Sequence, residues 1–192
     1  MKACVLLGNT REKSNTEAAV KIFTDELVAK GVEVKTFALR KKNILSCIGC
    51  EKCHTVMDSF GCVLKDDMLK IAKEILSSDL VVFSSPIYTW FATPPLKAIM
   101  DRLYAFAKFS DTVDMFNLMD KQHFALIATS GDKCERNCDL LDEAINRLAK
   151  FAKRPYLGYF AARDKGYENS TRQEVADGAR VFAWKCWGEI VN

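Results

Sequence analysis

Glycine is scarce and scattered in this chain of 192 residues. The nine glycines stand at positions 8, 31, 49, 61, 131, 158, 166, 178 and 188, and no two are separated by a single residue. The G-x-G-x-x-G fingerprint of dinucleotide-binding folds is therefore missing, and so is the G-K-[ST] ending of a phosphate loop. That argues against a tightly held dinucleotide and against nucleoside triphosphate hydrolysis. An excess of one charge sign is also lacking. Lys and Arg number 28 against 25 Asp and Glu, a balance of +3, without the basic stripe of a nucleic-acid binder. Long hydrophobic runs are absent too. No window approaches the roughly 20 apolar residues that cross a bilayer, and the short apolar stretch before Gly8 is followed by no small-residue cleavage site. The expectation is a cytoplasmic protein that engages neither membrane nor nucleic acid.

Cysteine is what the chain has in excess, with eight residues. In a reducing compartment these are thiols or metal ligands, not a disulfide framework. The remaining composition, 49% hydrophobic and 28% charged, is that of an ordinary globular protein. The length favours a single domain over residues 1–192.

Five short apolar runs alternate with segments of helical period. The runs are Ala3–Leu7, Val32–Phe37, Leu80–Ser84, Phe124–Thr129 and Leu157–Ala161. The first, third and fourth are almost continuously apolar, as strands covered on both faces of a parallel sheet are. Between and after them, helical spacing joins Ala18, Ala19, Ile22, Phe23 and Leu27; Leu69, Ala72, Ile75 and Leu76; Leu141, Ala144, Ile145 and Leu148; and Val175, Ala179, Phe182 and Cys186. A further helix is predicted from about Pro94 to Lys108, with Thr93 as N-cap and Pro94 at the first helical position. This alternation predicts an α/β fold, a doubly wound five-stranded parallel sheet with helices on both faces. A Cys-rich insertion loop, about 40–65, breaks the rhythm, and loops of that length are usually functional.

After the first strand comes Gly8-Asn9-Thr10-Arg11-Glu12-Lys13-Ser14-Asn15-Thr16-Glu17. Hydroxyls, amides and a guanidinium leading into a helix N-terminus suit a phosphate monoester. A solvated loop closed by a Ser14-x-x-Glu17 capping box is the alternative, and the two are compatible. The third strand runs into Ser85-Pro86-Ile87-Tyr88-Thr89-Trp90-Phe91. In strand order 2-1-3-4-5 this loop lies beside the first at the topological switch point. Its aromatics would stand in a crevice mouth against a flat ring, or else form a subunit contact. Thr129-Ser130-Gly131-Asp132 ends the fourth strand with small polar residues that allow close approach. Phosphate donors, an aromatic wall and a backbone ledge together match the shape of riboflavin monophosphate.

These motifs resemble those of the NADPH-dependent FMN reductase family. The first loop is similar to its Gly-Ser-x-Arg-x-x-Ser-Asn-Thr loop, with Asn9-Thr10 as a departure. Ser85-Pro86-Ile87-Tyr88, Leu96-Lys97 and Asp101-Arg102 resemble its Ser-Pro-x-Tyr…Leu-Lys…Asp-Arg signature. Cys47-Ile48-Gly49-Cys50-Glu51-Lys52-Cys53 with Asp66-Asp67-Met68 is similar to the iron–sulfur flavoprotein branch. The resemblance implies a flavodoxin-like fold binding FMN, with NAD(P)H as transient electron donor and a flavin, quinone or other small molecule as acceptor. It implies phosphate contacts from Thr10, Arg11, Ser14, Asn15 and Thr16. Pro86, Ile87, Tyr88, Thr89 and Trp90 would run beside the ribityl chain and ring, with Thr129, Ser130, Gly131 and Asp132 beyond. A homodimer or homotetramer is implied as well. The flavin carries the chemistry, so no catalytic side chain is assigned.

Cys47, Cys50, Cys53 and Cys62 are spaced C-x₂-C-x₂-C-x₈-C. Three thiolates at this spacing suit a [4Fe–4S] cluster better than zinc, with free thiols or a labile disulfide as the alternative. A cluster would make the protein an electron carrier for a ferredoxin-like partner, while a flavin-free binding module is a third reading. Cys4 and Cys186 are expected in the core. Cys134 and Cys138, four apart near a helix start, could touch. Lys97 and Asp101 read as a surface i,i+4 pair, Trp184 and Trp187 as core or subunit contact. His123 has no visible partner, and Arg40-Lys41-Lys42 reads as a solvated edge.

Overall fold

Continuous apolar runs become strands wherever both faces can be covered. β1 (Lys2–Leu7), β2 (Glu33–Ala38), β3 (Leu80–Pro86), β4 (His123–Ser130) and β5 (Tyr156–Arg163) pair in parallel in the order β2-β1-β3-β4-β5. The helices are α1 (Asn15–Ala29), α2 (Met68–Ser77), α3 (Pro94–Arg102), α4 (Asp139–Phe151) and α5 (Gln173–Val191). The computed structural model describes residues 1–109, 118–166 and 172–191. The predicted sheet and its flavodoxin-like order are both observed, with strand ends differing by a residue or two.

Because side chains alternate along a strand, each central strand feeds two cores. Cys4, Leu6, Val81, Phe83, Phe124 and Leu126 face Met68, Ile71, Ile75, Leu96, Ile99 and Leu141 from α2, α3 and α4. Val5, Leu7, Leu80, Val82 and Ile127 face Phe23, Leu27, Phe182 and Ala183 from α1 and α5. Cys4 and Cys186 are buried in these cores as expected. The strands all run one way, so the loops after β1, β3 and β4 emerge on one rim.

Two details differ from expectation. α3 ends at Arg102 and tightens into a 3₁₀ turn, Leu103–Phe106, in place of continuing to Lys108. Two charges turn inward around this break. Arg102 is buried and pairs with buried Asp66, while the Lys108 ammonium is drawn inside to the carbonyls of Cys53 and Ala105 at 2.9 and 2.7 Å. Thr93 holds the N-cap position without capping; its hydroxyl donates to the Gly8 carbonyl at 2.6 Å.

The Lys97–Asp101 pair forms on the α3 surface at 2.5 Å. Trp184 is half-exposed, its indole N–H on Glu26, and Trp187 packs against the α1/α5 core beneath Lys30. His123 does find a partner, with its Nδ1 3.4 Å from the Asp79 carbonyl. Among the described residues no helix is long and apolar enough to cross a membrane.

Candidate functional site

The first loop is fastened before it reaches any ligand. Gly8 donates its N–H to the Ser84 carbonyl at 2.7 Å. A Cβ at this position would lie 2.7 Å from that oxygen and 3.0 Å from Leu96 Cβ, so only glycine fits. Asn9, fully buried, donates to the Arg11 carbonyl at 2.6 Å and to Glu17 at 3.3 Å, bending the loop back on itself. Arg40 supports it from behind, donating to Asn9 Oδ1 and Glu17 Oε1, each at 3.3 Å. Arg40 is thus not a solvated edge, since its side chain is only 13% exposed; the two acceptors on the loop draw it in.

At the mouth of α1, Ser14 Oγ accepts the Glu17 N–H at 3.1 Å. Glu17 does not reach back to close the box, because its carboxylate is taken by Asn9 and Arg40. The remaining first-turn N–H groups have no helical acceptor and carry the positive end of the helix dipole. Asn15 is buried beside them, and neither its amide nitrogen nor its carbonyl oxygen has a partner. A buried amide left unpaired costs about 1–3 kcal/mol. It marks a place where a polar ligand atom belongs, and a phosphate oxygen would accept from the Asn15 amide there.

Two side-chain bonds lace the rim together. Thr10 Oγ1 lies 2.9 Å from the Tyr88 hydroxyl, and Thr16 Oγ1 lies 2.6 Å from Thr129 Oγ1. Ser14 and Tyr88 consequently line one cavity of about 280 Å³. Thr10, Arg11, Asn15 and Thr16 share it from the first loop, Pro86 and Ile87 from the second, and Thr129, Ser130 and Gly131 from the third. Asn9 and Asp164 also line it. Asp164 faces Arg11 at 3.6 Å; it follows β5, and no motif in the sequence singled it out.

Three of the predicted contacts lie outside the cavity lining. Thr89 and Trp90 form the tip of a tight turn in which Tyr88 and Phe91 exchange backbone hydrogen bonds at 3.0 and 3.1 Å. Both have positive φ, 48° and 59°. The turn geometry explains this, since a type I′ two-residue turn needs left-handed backbone at both centres. It leaves Trp90 half-exposed on the rim, not folded over the cavity. Asp132 turns away to pair with Arg163 at 3.2 Å, while its carbonyl accepts from Ser130 at 2.6 Å.

The cysteine loop is pinned at its ends and open in its middle. Asp66 accepts from Leu45 N–H at 2.8 Å, and Arg102 donates to the Leu45 carbonyl at 3.2 Å and to Cys62 Sγ at 3.4 Å. Burial opposes the Asp66 charge, but the Arg102 hydrogen bond and the Leu45 and Met68 N–H groups hold its carboxyl below the usual aspartate range. Cys53 and Cys62 are half-buried, whereas Cys47 and Cys50 are exposed. Among the described residues no three Cys, His, Asp or Glu side chains gather as a metal site. As arranged, the four thiols do not form a cluster cage.

A sequence pattern decides the kinship. That of the NADPH-dependent FMN reductase family matches residues 1–139. This chain belongs to that family. An iron–sulfur flavoprotein of Methanocaldococcus jannaschii is 33% identical over 105 residues, 55% of this chain and 52% of that protein. The chain spans about half the length of the curated relatives it matches. Among solved structures, an NAD(P)H:quinone oxidoreductase from Methanothermobacter marburgensis aligns at a TM-score of 0.73 and 17% identity, covering 95% of this chain and 94% of that one. An FMN-dependent NADH-azoreductase from Bacillus anthracis, in complex with FMN, aligns at 0.66 and 15%, over 100% and 99% of the two chains. At such identities the two structures establish a shared fold and nothing finer.

Proposed function

We propose that this FMN reductase family member binds FMN at the rim cavity and works as an NAD(P)H-dependent oxidoreductase. The cavity that Ser14 and Tyr88 share carries this reading. The phosphate would be met by Arg11, the hydroxyls of Thr10, Ser14 and Thr16, and the unpaired Asn15 amide at the positive end of α1. Pro86, Ile87 and Tyr88 would form one wall and Thr129 to Gly131 the other. A bound FMN would supply the hydride and electron-transfer chemistry between a nicotinamide and a flavin, quinone or other small acceptor. The chain's own contribution is to hold and orient. Thr10 fixes the Tyr88 ring by its hydroxyl, and the Thr16–Thr129 bond sets the width between the walls. Anaerobic addition of NADPH or NADH to the FMN-loaded protein is expected to bleach its visible absorption. Colour that persists with both nucleotides would overturn the activity.

A second reading is favoured by one observation beside the cysteine loop. The buried Lys108 ammonium, its charge opposed by burial and favoured by nearby Cys53 and Asp58, donates to the carbonyls of Cys53 and Ala105. A buried cation calls for an anion nearby. Relatives named iron–sulfur flavoproteins support a [4Fe–4S] cluster on Cys47, Cys50, Cys53 and Cys62 as that anion. The exposed Cys47–Cys50 segment would have to close over Cys53 and Cys62. Anaerobically prepared protein with fewer than about two irons per chain would remove this reading.

A further inference from the structure

Cys134 and Cys138 belong to neither the flavin cradle nor the Cys47–Cys62 loop. They frame the turn from β4 into α4, with Cys134 opening a 3₁₀ turn and Cys138 at the N-cap position of the helix. The Cys138 N–H donates to the Cys134 carbonyl at 2.9 Å. That is the bond of one α-helical turn, which places the two side chains on one face. It sets their Cα atoms about 6 Å apart, inside the range a disulfide spans, and their Cβ atoms about 5–6 Å apart, so closure draws the short 3₁₀ turn in by about 1–2 Å.

The two thiols differ in access. Cys138 is fully buried. Cys134 is half-buried and lines a second cavity, about 320 Å³, whose walls include Lys133, Arg163 and Val175. Ser130 commits its proton to the Asp132 carbonyl at 2.6 Å, so the 3.4 Å contact between Ser130 Oγ and Cys134 Sγ has the thiol as donor. Burial, and then the neighbouring Cys134, pushes the Cys138 thiol up to about 12. An accessible sulfur backed by a buried, protonated one is the arrangement in which the first attacks and the second resolves.

We propose that Cys134 and Cys138 are a redox-active dithiol that undergoes thiol–disulfide exchange with disulfides entering the second cavity. The Cys134 thiolate attacks the incoming S–S bond, which breaks and releases one thiol. A mixed disulfide remains on Cys134. Cys138 then gives up its proton and attacks the Cys134 sulfur, the second thiol leaves, and a Cys134–Cys138 bond closes. One disulfide becomes two thiols while the pair loses two hydrogens. Closure also removes the S–H donor from Ser130, which lines the flavin cavity, so the state of the pair is felt at the cradle wall.

The test needs neither flavin nor a known acceptor. The full chain is equilibrated with oxidised and reduced glutathione, free thiols are capped with N-ethylmaleimide, and tryptic peptides are weighed. Trypsin cuts after Lys133, Arg136 and Arg147. A closed bridge therefore appears as Cys134–Arg136 joined to Asn137–Arg147, or as the uncut peptide two hydrogens lighter, and reduction abolishes it. Cys138→Ser is expected to stop with glutathione on Cys134, and Cys134→Ser to leave Cys138 a thiol. Wild-type protein that keeps glutathione on Cys134 without closing would overturn the proposal. So would recovery of both cysteines as capped thiols while Cys47 and Cys50 oxidise.

Discussion

The hydroxyls of Thr16 and Thr129 lie 2.6 Å apart across 113 positions of chain. The contact joins the first turn of α1 to the end of β4, and both residues are buried. Thr16→Val strands the Thr129 hydroxyl, and Thr129→Val does the reverse; each is expected to cost about 1–2 kcal/mol. The double variant should cost less than the two singles combined, because the residues act as one unit. Urea unfolding of the four proteins measures the coupling, and strict additivity would show that the bond does no work.

Two glycines of the rim should answer substitution in opposite ways. At Gly8 a Cβ meets the Ser84 carbonyl at 2.7 Å, so Gly8→Ala is expected to destabilise the fold by about 1–3 kcal/mol. At Gly131 an added Cβ meets no atom within 4 Å, yet the residue lines the cavity. Gly131→Leu should leave the urea midpoint in place and weaken FMN by about tenfold or more, about 1.4 kcal/mol. Flavin fluorescence titration beside urea unfolding separates the two effects.

Much of this was legible in the sequence, for identifiable reasons. β1, β3 and β4 announce themselves because strands buried on both faces leave no room for polar residues. The rim loops are legible because parallel strands send them to one edge, whatever the helices do in detail. What escaped are partners chosen in three dimensions. Arg40 looks like a surface residue until Asn9 and Glu17 fold back toward it. Asp164 follows β5 and carries no motif. The inward turn of Arg102 at the end of α3 depends on Asp66, 36 positions away. The sequence places Thr89 and Trp90 beside the ribityl chain and ring; the turn they form sets them next to Tyr88 but outside the cavity lining.

The Arg102–Asp66 pair is buried on both sides. Arg102→Met leaves an uncompensated carboxylate in the core and should cost about 3–5 kcal/mol. Adding Asp66→Asn removes the stranded charge and is expected to recover part of that loss. Urea midpoints decide it; a single variant as stable as the parent would show that the pair lacks the importance assigned here.

Acid should be felt at the start of the sheet. Asp79 accepts from the Lys2 N–H at 2.8 Å and pairs with Lys121 at 3.0 Å. Burial opposes its charge, but these partners hold its carboxyl below the usual aspartate range. A depressed folded value means stability that is present above the ordinary aspartate pKa and lost as pH falls through the folded one. Asp79→Asn should therefore flatten the fall in stability below about pH 4 relative to the parent. Thermal unfolding between pH 2 and pH 6 checks the difference in slope.

The most direct test of the cradle compares FMN with riboflavin, two ligands that differ only in the phosphate. Fluorescence titration of flavin-free protein with each gives the two dissociation constants. If Arg11, Ser14, Asn15 and Thr16 hold a phosphate, FMN should bind about 100-fold more tightly, a gap of about 2.7 kcal/mol. Equal affinity for the two, or no binding of either, would contradict the account.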